Sequence, residues 1–397
     1  MKKEIFISVK KFNHFLFLLL ITSSCIYFSS CDSDTTTPTN ENHQSQIKTA
    51  MNATQAEMDA PGWIAGIWSP AESYELVDGM ADVDGNIDME ISSLIRIGSI
   101  TKTFTATLLL ILVDEGKLSL DDKLEKFLPD YPKADQITVR QLTMHKAGIV
   151  SWDEDDEVRM SVFDGTKKWT IDELIEWASE QPFLSEPGAE FHYSNIGYFM
   201  LGKIIEQASE MTVAQAINEK IAIPLGLKNT FMAESPQPVG DYVHGYDGSS
   251  GSVIDMTGTP QAIAINYELA WTAGGMLSTL EDLLIWSKAL VTGELLSDSL
   301  HDQQLPVPNP PNEINPYWSG YGIGINQTDA WFGHTGAVCG FICNMSYNPE
   351  DDVAIVTFFN KFSAFDIDAN TADLTAVTLN FLKLARMFCP KTLIEKK

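Results

Sequence analysis

The strongest constraint on the fold is a helix with no polar face. Residues 94–97 predict a short apolar strand, Gly98 a hinge, and the following residues a helix that runs to Gly116. Six consecutive positions of that helix, 108–113, are apolar. A helix that is apolar all round is a buried one. The rest of the chain must therefore surround this helix, and its first turn must point into an interior cleft.

That first turn carries a Ser-x-x-Lys motif, Ser99 and Lys102. The same spacing occurs at residues 8–11 and 45–48, so it is the context of Ser99 that distinguishes it. A Ser and a Lys three residues apart lie on one helical face, which brings the amine within reach of the hydroxyl. Burial lowers the pKa of the lysine, and a helix N-terminus favours a developing oxyanion. The pattern indicates a nucleophilic Ser99, with a capping serine and a surface lysine as the alternative.

Tyr193-Ser194-Asn195 is the only Tyr-x-Asn of the chain. A tyrosine at a strand-to-helix turn can act as a general base where nearby cations favour the phenolate. The carboxamide of Asn195 is expected to hydrogen-bond both Lys102 and a substrate amide. A core tyrosine followed by a helix-capping asparagine is the alternative.

His334-Thr335-Gly336 is the only His-x-Gly of the chain, within a hairpin of the last predicted sheet. A strand edge at this point can pair with an extended substrate, and Gly336 permits a close backbone approach. We expect His334 to lie above Lys102 and Tyr193 and to supply a hydrogen bond or a positive charge. A structural strand histidine is the alternative.

In this order the three motifs resemble the serine β-lactamase-related family. That family includes class C β-lactamases, D-alanyl-D-alanine carboxypeptidases, D-amino-acid amidases and esterases. Three supporting segments match as well: residues 96–99, residues 139–142 with His145 and Gly148, and residues 273–279. The resemblance covers about residues 45–388.

The resemblance implies a role for each matching residue and no metal or cofactor. Ser99 attacks the carbonyl, and Lys102 and Tyr193 share its proton. The backbone N–H groups of Ser99 and Ala337 form the oxyanion hole. The implied substrate-binding residues are Asn195, His334, Thr335 and Gly336. His145 and the turn at residues 274–275 look like scaffold.

The resemblance also implies an α+β fold of the β-lactamase/transpeptidase type, an antiparallel sheet flanked by helices with an inserted, mainly helical domain. The sequence predicts strands at 63–68, 74–81, 321–325, 331–346 and 353–359, and helices at 195–209 and 368–384. It further predicts a helix capped by Thr170 and a capping box at Ser278-Thr279-Leu280-Glu281. The α/β part comprises about 45–116 and 265–388, the helical part about 117–264.

The N-terminus predicts export to a bacterial cell envelope. Four lysines precede the apolar run 15–21, which is too short to span a membrane and is followed by Cys31. Residues 1–31 resemble a lipoprotein signal with Cys31 as the lipidated residue; Cys25 is a second candidate, and a plain secretory signal is the alternative. Residues 32–44 are expected to be a disordered tether, and 389–397 a tail. The lipid is the only membrane contact expected.

Several functions are excluded. With 54 acidic and 26 basic residues the formal charge is −28, so nucleic acid is not an expected partner. The acidic stretch 82–88 has its glycine misplaced for an EF-hand and predicts a hairpin instead. His334 with Cys339 and Cys343 matches no zinc pattern, and free thiols are expected. Ser99 lacks the Gly-x-Ser-x-Gly setting of an α/β-hydrolase.

The histidine of the third motif bears on the substrate, which is expected to be a small peptide or acyl compound, with peptidoglycan as one candidate. Class C β-lactamases carry Lys-Thr-Gly there, whereas His-Thr-Gly resembles D-alanyl-D-alanine carboxypeptidases and some esterases and amidases. Residues 321–327 offer no arginine for a terminal carboxylate, so Thr335 and a protonated His334 are expected to bind it. We predict a carboxypeptidase-like envelope peptidase; alternatives are an esterase or amidase, and, less favoured, a β-lactamase or a penicillin-binding sensor.

Overall fold

The computed structural model describes residues 40–235, 242–249, 252–305, 307–308 and 316–391. The chain divides into a unit of residues 1–38 and a unit of residues 39–397, and all described residues belong to the second. The predicted export signal with Cys31 and most of the predicted tether and tail therefore lie outside the described residues. Within the described ranges, no helix has the length and apolar character needed to cross a membrane.

The main sheet joins the two ends of the chain. Its strand order is β3-β2-β1-β14-β13-β12-β11-β10-β9, with antiparallel pairing throughout, so that β1 lies between β2 and β14. A smaller sheet has the order β4-β8-β5, and β6 pairs with β7. The described strands are β1 (Gly62–Trp68), β2 (Ser73–Asp82), β3 (Ile87–Asp88), β4 (Ile95–Arg96), β5 (Phe231–Met232), β6 (Tyr246–Asp247), β7 (Ile254–Asp255), β8 (Met276–Ser278), β9 (Val307–Pro308), β10 (Gly320–Tyr321), β11 (Asn326–Thr328), β12 (Trp331–Val338), β13 (Phe341–Asn348) and β14 (Val353–Phe359).

Helices cover both faces of this sheet and form most of the part between its two halves. The described helices are α1 (Asn40–Met58), α2 (Thr101–Asp114), α3 (Val139–Thr143), α4 (Asp156–Phe163), α5 (Ile171–Ser179), α6 (Asn195–Ser209), α7 (Val213–Ile217), α8 (Ile223–Leu225), α9 (Pro260–Ile263), α10 (Trp271–Gly274), α11 (Leu280–Thr292), α12 (Asp298–Gln304) and α13 (Ile367–Phe388). A 3-10 turn, Gly98–Ile100, leads into α2.

The sheet is buried on both faces, as β14 shows. Its side chains alternate between two apolar cores because successive strand residues point to opposite faces. Ile355 and Phe359 belong to the core that includes α1 and α13, whereas Val356 and Phe358 belong to the core that includes α2 and α11. All seven residues of β14 are buried.

The helix α2 is buried as its composition predicts, with residues 101–110 and 112 inaccessible. Apolar packing includes a stacked pair of rings, Phe104 and Trp286, with centroids 4.1 Å apart. The threonines of its first turns satisfy their hydroxyls internally: Thr103 accepts a hydrogen bond from Trp286, and Thr105 donates to the backbone of Thr272. These bonds offset the cost of burying polar groups and fix the rotation of α2.

Most predicted elements are confirmed. Helix α6 spans residues 195–209, and β14 spans 353–359, both as predicted. Thr170 caps α5 in a capping box with Glu173. The stretch 82–88 forms the expected hairpin, in which β2 pairs with β3. Cys339 and Cys343 are free and buried.

Three local predictions were wrong. Residues 40–44 belong not to a tether but to α1, whose buried Ile47, Met51 and Met58 recur at helical spacing and pack on the sheet. Residues 322–325 form a tight turn rather than a strand, because Gly324 adopts a φ of +70° against the backbone of α2. Ser278 ends β8 with its hydroxyl 2.7 Å from that of Thr230, so no capping box forms at α11.

Candidate active site

Ser99 lies where the turn before α2 touches the C-terminal end of β12. Gly98 has a φ of +47°, and a Cβ there would come within 2.6 Å of the backbone nitrogen of Ala337. A Cβ on Gly336 would fall 1.9 Å from the carbonyl oxygen of Ile97. Only glycine permits both approaches. The two glycines therefore place the backbone of Ser99 against the backbone of Ala337, as an oxyanion hole formed by their N–H groups requires.

Lys102 is completely buried beneath Ser99. Its Nζ lies 3.0 Å from Ser99 Oγ and donates to the carbonyl of Ala273 at 2.7 Å. Desolvation lowers the pKa of Lys102 to about 7, although Asp153 opposes the shift by stabilising the ammonium. Near neutral pH a large fraction of Lys102 is thus uncharged and able to accept the hydroxyl proton of Ser99.

Tyr193 completes this group. Its side chain lies beside Ser99, and its ring lies 4.8 Å from Lys102 Nζ. Burial raises the pKa of Tyr193 above its ordinary value, and the negative charge of Asp153 adds to that rise. Tyr193 is therefore a neutral phenol in this arrangement, so the geometry favours Lys102 over a Tyr193 phenolate as the base.

Asn195 opens α6 at the edge of the cleft, but its partner differs from the expected one. Its carboxamide donates to Asp153 Oδ1 at 3.1 Å, and its backbone N–H donates to Ser151 Oγ at 3.0 Å. The expected bond to Lys102 is absent among the described residues, whose bonds place Lys102 Nζ on Ser99 and Ala273. The helix cap is Ser194, which accepts from the N–H of Gly197.

His334 is buried behind the site, which corrects its expected contact with substrate. Only 1% of its surface is exposed. Its Nδ1 donates to the carbonyl of Thr335 at 2.6 Å, and its Nε2 lies 3.1 Å from the hydroxyl of Tyr321. Desolvation and the nearby Lys102 lower the pKa of His334 to about 3. His334 is therefore neutral, so it supplies no positive charge for a carboxylate; Thr335 and Gly336 remain on the strand beside Ser99.

A cleft of about 770 Å³ leads to Ser99. Asn195, Ala273 and Ala337 lie in its walls close to the serine, and α13 lines its far part. Its charged lining within the described residues consists of Asp153, Glu154, Asp156 and Arg159. The guanidinium of Arg159 donates to Asp156 Oδ1 at 2.6 Å. The cleft thus presents more negative than positive charge to a ligand.

One group of described side chains brings metal-ligand atoms together, Asp82, His244 and Asp255. Its atoms lie within 4.8 Å of one another, and His244 Nδ1 is 2.8 Å from Asp255 Oδ2. An ordinary hydrogen bond explains that contact. None of the three residues lines the cleft that leads to Ser99.

Motif spacing missed three residues of the site. Asp153 belongs to an acidic run, residues 153–157, which could have suggested a charged cleft wall. Ala273 contributes only its carbonyl, which leaves no signal in a side chain. Tyr321 was placed in a strand, but its hydroxyl contact with His334 arises from tertiary packing.

The antiparallel sheet, the buried helix and the Ser–Lys–Tyr arrangement define a serine hydrolase of the β-lactamase/transpeptidase fold. The chain belongs to the β-lactamase family, whose profile, described as Beta-lactamase, matches residues 49–378. This agrees with the resemblance found in the three motifs.

Curated relatives include "Protein flp" of Staphylococcus aureus strain MW2, 27% identical over 297 residues, which covers 72% of this chain and 57% of that protein. A D-aminopeptidase of Gluconobacter oxydans strain 621H is 25% identical over 347 residues, 82% of this chain and 61% of that protein. The chain spans about 60% of the length of these two relatives.

Among solved structures, the D-stereospecific amidohydrolase from Streptomyces sp. superposes with a TM-score of 0.71 at 26% identity. The match covers 88% of this chain and 99% of that one. It supports the fold along nearly the whole described region.

Proposed function

We propose that this protein is an amidohydrolase that forms an acyl-enzyme on Ser99 and acts on acyl groups bearing a free α-ammonium, such as D-aminoacyl amides and short peptides. The observation that carries the proposal is the negative charge of the cleft wall beside Ser99. The names of two similar proteins, a D-aminopeptidase and a D-stereospecific amidohydrolase, support both the reaction and the D configuration.

In the proposed chemistry, neutral Lys102 accepts the proton of Ser99 while Oγ attacks the amide carbonyl. The backbone N–H groups of Ser99 and Ala337 stabilise the oxyanion, the kind of interaction that contributes most to such reactions. Lys102 returns the proton through the Tyr193 hydroxyl to the leaving amine. Water then attacks the ester by the same steps in reverse, which frees the acid and Ser99.

Asp153 is the proposed partner of the substrate ammonium. Both hydrogen bonds to its side chain within the described residues, from Ser151 and Asn195, end on Oδ1. Oδ2 is therefore directed to a ligand in this proposal. A carboxypeptidase would instead need to bind a terminal carboxylate in this cleft. There Asp153 would repel it, and Arg159 is already paired with Asp156.

The test compares three substrates: a D-aminoacyl amide, its N-acetyl derivative, and a diacylated Lys-D-Ala-D-Ala peptide. We expect kcat/KM for the free amine to exceed that of the acetylated amide by about 10- to 100-fold, as a charge-assisted hydrogen bond provides. Asp153→Asn should remove this preference, measured at about pH 7, where most of the substrate still carries its α-ammonium. Because the preference is a ratio of two substrates on the same protein, the protonation state of Lys102 affects both rates alike. Ser99→Ala is the inactive control.

If the diacylated peptide were hydrolysed fastest of the three, with D-alanine as product, the amidase proposal would be overturned in favour of the carboxypeptidase prediction.

We further propose, from residues 1–31 alone, that the enzyme is exported and anchored through a lipid on Cys31. Metabolic labelling with a fatty acid tests this, and Cys31→Ala should abolish the label while Cys25→Ala should not.

A further inference from the structure

The hydroxyl of Tyr321 bridges two buried histidine rings. It lies 3.2 Å from Nε2 of His145 and 3.1 Å from Nε2 of His334. The exposed fractions of Tyr321, His145 and His334 are 1%, 2% and 1%. Buried polar groups of this kind need partners, so the direction of each hydrogen bond can be worked out.

The backbone fixes the tautomer of each ring. The N–H of Ser194 donates to His145 Nδ1 at 3.1 Å, so that nitrogen carries no proton and the proton of the neutral ring is on Nε2. The carbonyl of Thr335 can only accept, so His334 Nδ1 carries the proton and its Nε2 carries none. The two histidines therefore have opposite tautomers.

The Tyr321 hydroxyl connects them in one direction. It accepts the proton of His145 Nε2 and donates its own to His334 Nε2. The hydroxyl of Tyr198 also contacts that of Tyr321, but it donates its own proton to the carbonyl of Thr143 at 2.9 Å and so supplies no proton to His334. The Tyr321 proton therefore goes to His334 Nε2, which would otherwise be a buried acceptor without a donor. Both rings are held neutral by burial and by the adjacent charge of Lys102, which lower the pKa of each.

The two ends of this chain of hydrogen bonds are the two walls of the site. Ser194 follows Tyr193 directly, and the His145 ring also stacks on Tyr193 with centroids 4.1 Å apart and an interplanar angle of 29°. At the other end, Thr335 lies two residues before Ala337 on β12. A single phenol hydroxyl thus links the turn that carries Tyr193 to the strand that carries Ala337.

We propose that Tyr321 is a positioning residue that holds Tyr193 and Ala337 in register about Ser99 through the neutral rings of His145 and His334. The inference rests on the proposed roles of Tyr193 and Ala337 in acylation, but it does not depend on which amide is the substrate. If Tyr193 and Ala337 shift relative to each other, the rate of acylation should fall while the affinity for substrate changes little.

The variant that isolates the hydroxyl is Tyr321→Phe, which leaves the donor of His145 and the acceptor of His334 unpaired. We expect acylation of Ser99 by a fluorophosphonate to slow by about 10- to 100-fold, and kcat to fall with it while KM changes much less. Tyr246→Phe is the matched control: its side chain is also buried, and its hydroxyl accepts the N–H of Val83 at 2.8 Å, away from the cleft. That control should keep its acylation rate.

A second measurement uses the unaltered protein and does not depend on folding of the variant. Nitrogen-15 NMR of the histidine rings should show the proton of His334 on Nδ1 and that of His145 on Nε2, with both rings neutral at neutral pH. The opposite tautomers, or a protonated ring, would overturn the proposal. An acylation rate in Tyr321→Phe equal to that of Tyr246→Phe would also overturn it. Ser99→Ala separates this result from failure of the proposed function. If fluorophosphonate labelling were unchanged in that variant, Ser99 would not be the nucleophile, whatever the result for Tyr321→Phe.

Discussion

Replacing Lys102 with methionine should abolish acylation and at the same time stabilise the folded protein below neutral pH. The ammonium is 0% exposed, and its desolvation lowers the pKa from 10.5 to about 7. Whenever Lys102 is protonated in the folded protein, its ammonium is buried away from water, and the cost of this desolvation opposes folding. Methionine is similar in length and carries none.

The magnitude follows from the pKa shift. The pKa falls by about 3.5 units, so at about 1.4 kcal/mol per unit Lys102 destabilises the folded state by about 5 kcal/mol below neutral pH. Methionine leaves the carbonyl of Ala273 without its donor, which costs about 1–3 kcal/mol. The variant should therefore be more stable than the unaltered protein by about 2–4 kcal/mol near pH 6.

The sign of the pH dependence is fixed. Between the folded pKa of about 7 and the unfolded value of 10.5, the unfolded chain binds the Lys102 proton and the folded protein does not. Stability of the unaltered protein therefore rises with pH across this window. The penalty is fully present below the folded pKa and is lost above the unfolded one, so the advantage of Lys102→Met must shrink as pH rises.

Urea unfolding at several pH values, followed by the fluorescence of the 9 tryptophans, measures this difference. Lys288→Met is the control, because that lysine is 54% exposed and pairs with Asp352 at 2.7 Å. The control should shift stability by less than about 0.5 kcal/mol. A Lys102→Met variant that is no more stable than the unaltered protein near pH 6, or whose advantage is constant with pH, would refute the reasoning.

Two further substitutions test the geometry around Ser99. Gly336→Ala places a Cβ 1.9 Å from the carbonyl oxygen of Ile97 and should cost about 1–3 kcal/mol in urea unfolding, with acylation slowed about 100-fold. Gly197→Ala has only ordinary contacts at 3.7 Å and should be neutral or stabilising, so equal losses in both variants would contradict the close-approach argument. Tyr193→Phe should slow acylation in stopped-flow assays by about 100-fold with little change in noncovalent affinity, and an unchanged rate would remove Tyr193 from proton transfer.

The elements that could be predicted from the sequence are those whose signal is local. The apolar run 108–113 requires burial of α2 wherever it lies, and Thr170 with Glu173 forms a capping box from adjacent residues alone. The Ser99–Lys102 contact is equally local, because one helical turn separates the two side chains. Each of these predictions was confirmed because the rest of the fold did not require a different local structure at those residues.

The wrong predictions concern residues whose setting comes from distant parts of the chain. His334 was expected to contact substrate through a hydrogen bond or a positive charge. Instead its Nε2 contacts the buried hydroxyl of Tyr321, and Lys102, more than two hundred residues earlier in the chain, helps to lower its pKa. Asp153 gives no motif, and only the fold brings it beside Asn195. The start of α1 is helical because the sheet offers its apolar residues a surface, which composition alone does not reveal.

The charges at this site act on each other, and this links recognition to catalysis. Asp153 raises the pKa of Lys102, so the free enzyme keeps part of its base protonated at neutral pH. A substrate ammonium bound at Asp153 would neutralise that carboxylate, and Lys102 would then lose its proton more readily. In this proposal the correct substrate activates its own base, whereas a carboxylate ligand would do the reverse. The Asp153→Asn variant mimics the neutralised state. The acylation rate with a neutral fluorophosphonate should therefore reach half of its maximum at a lower pH in this variant than in the unaltered protein. An equal midpoint would mean that Asp153 does not control the pKa of Lys102, whatever its role in substrate recognition.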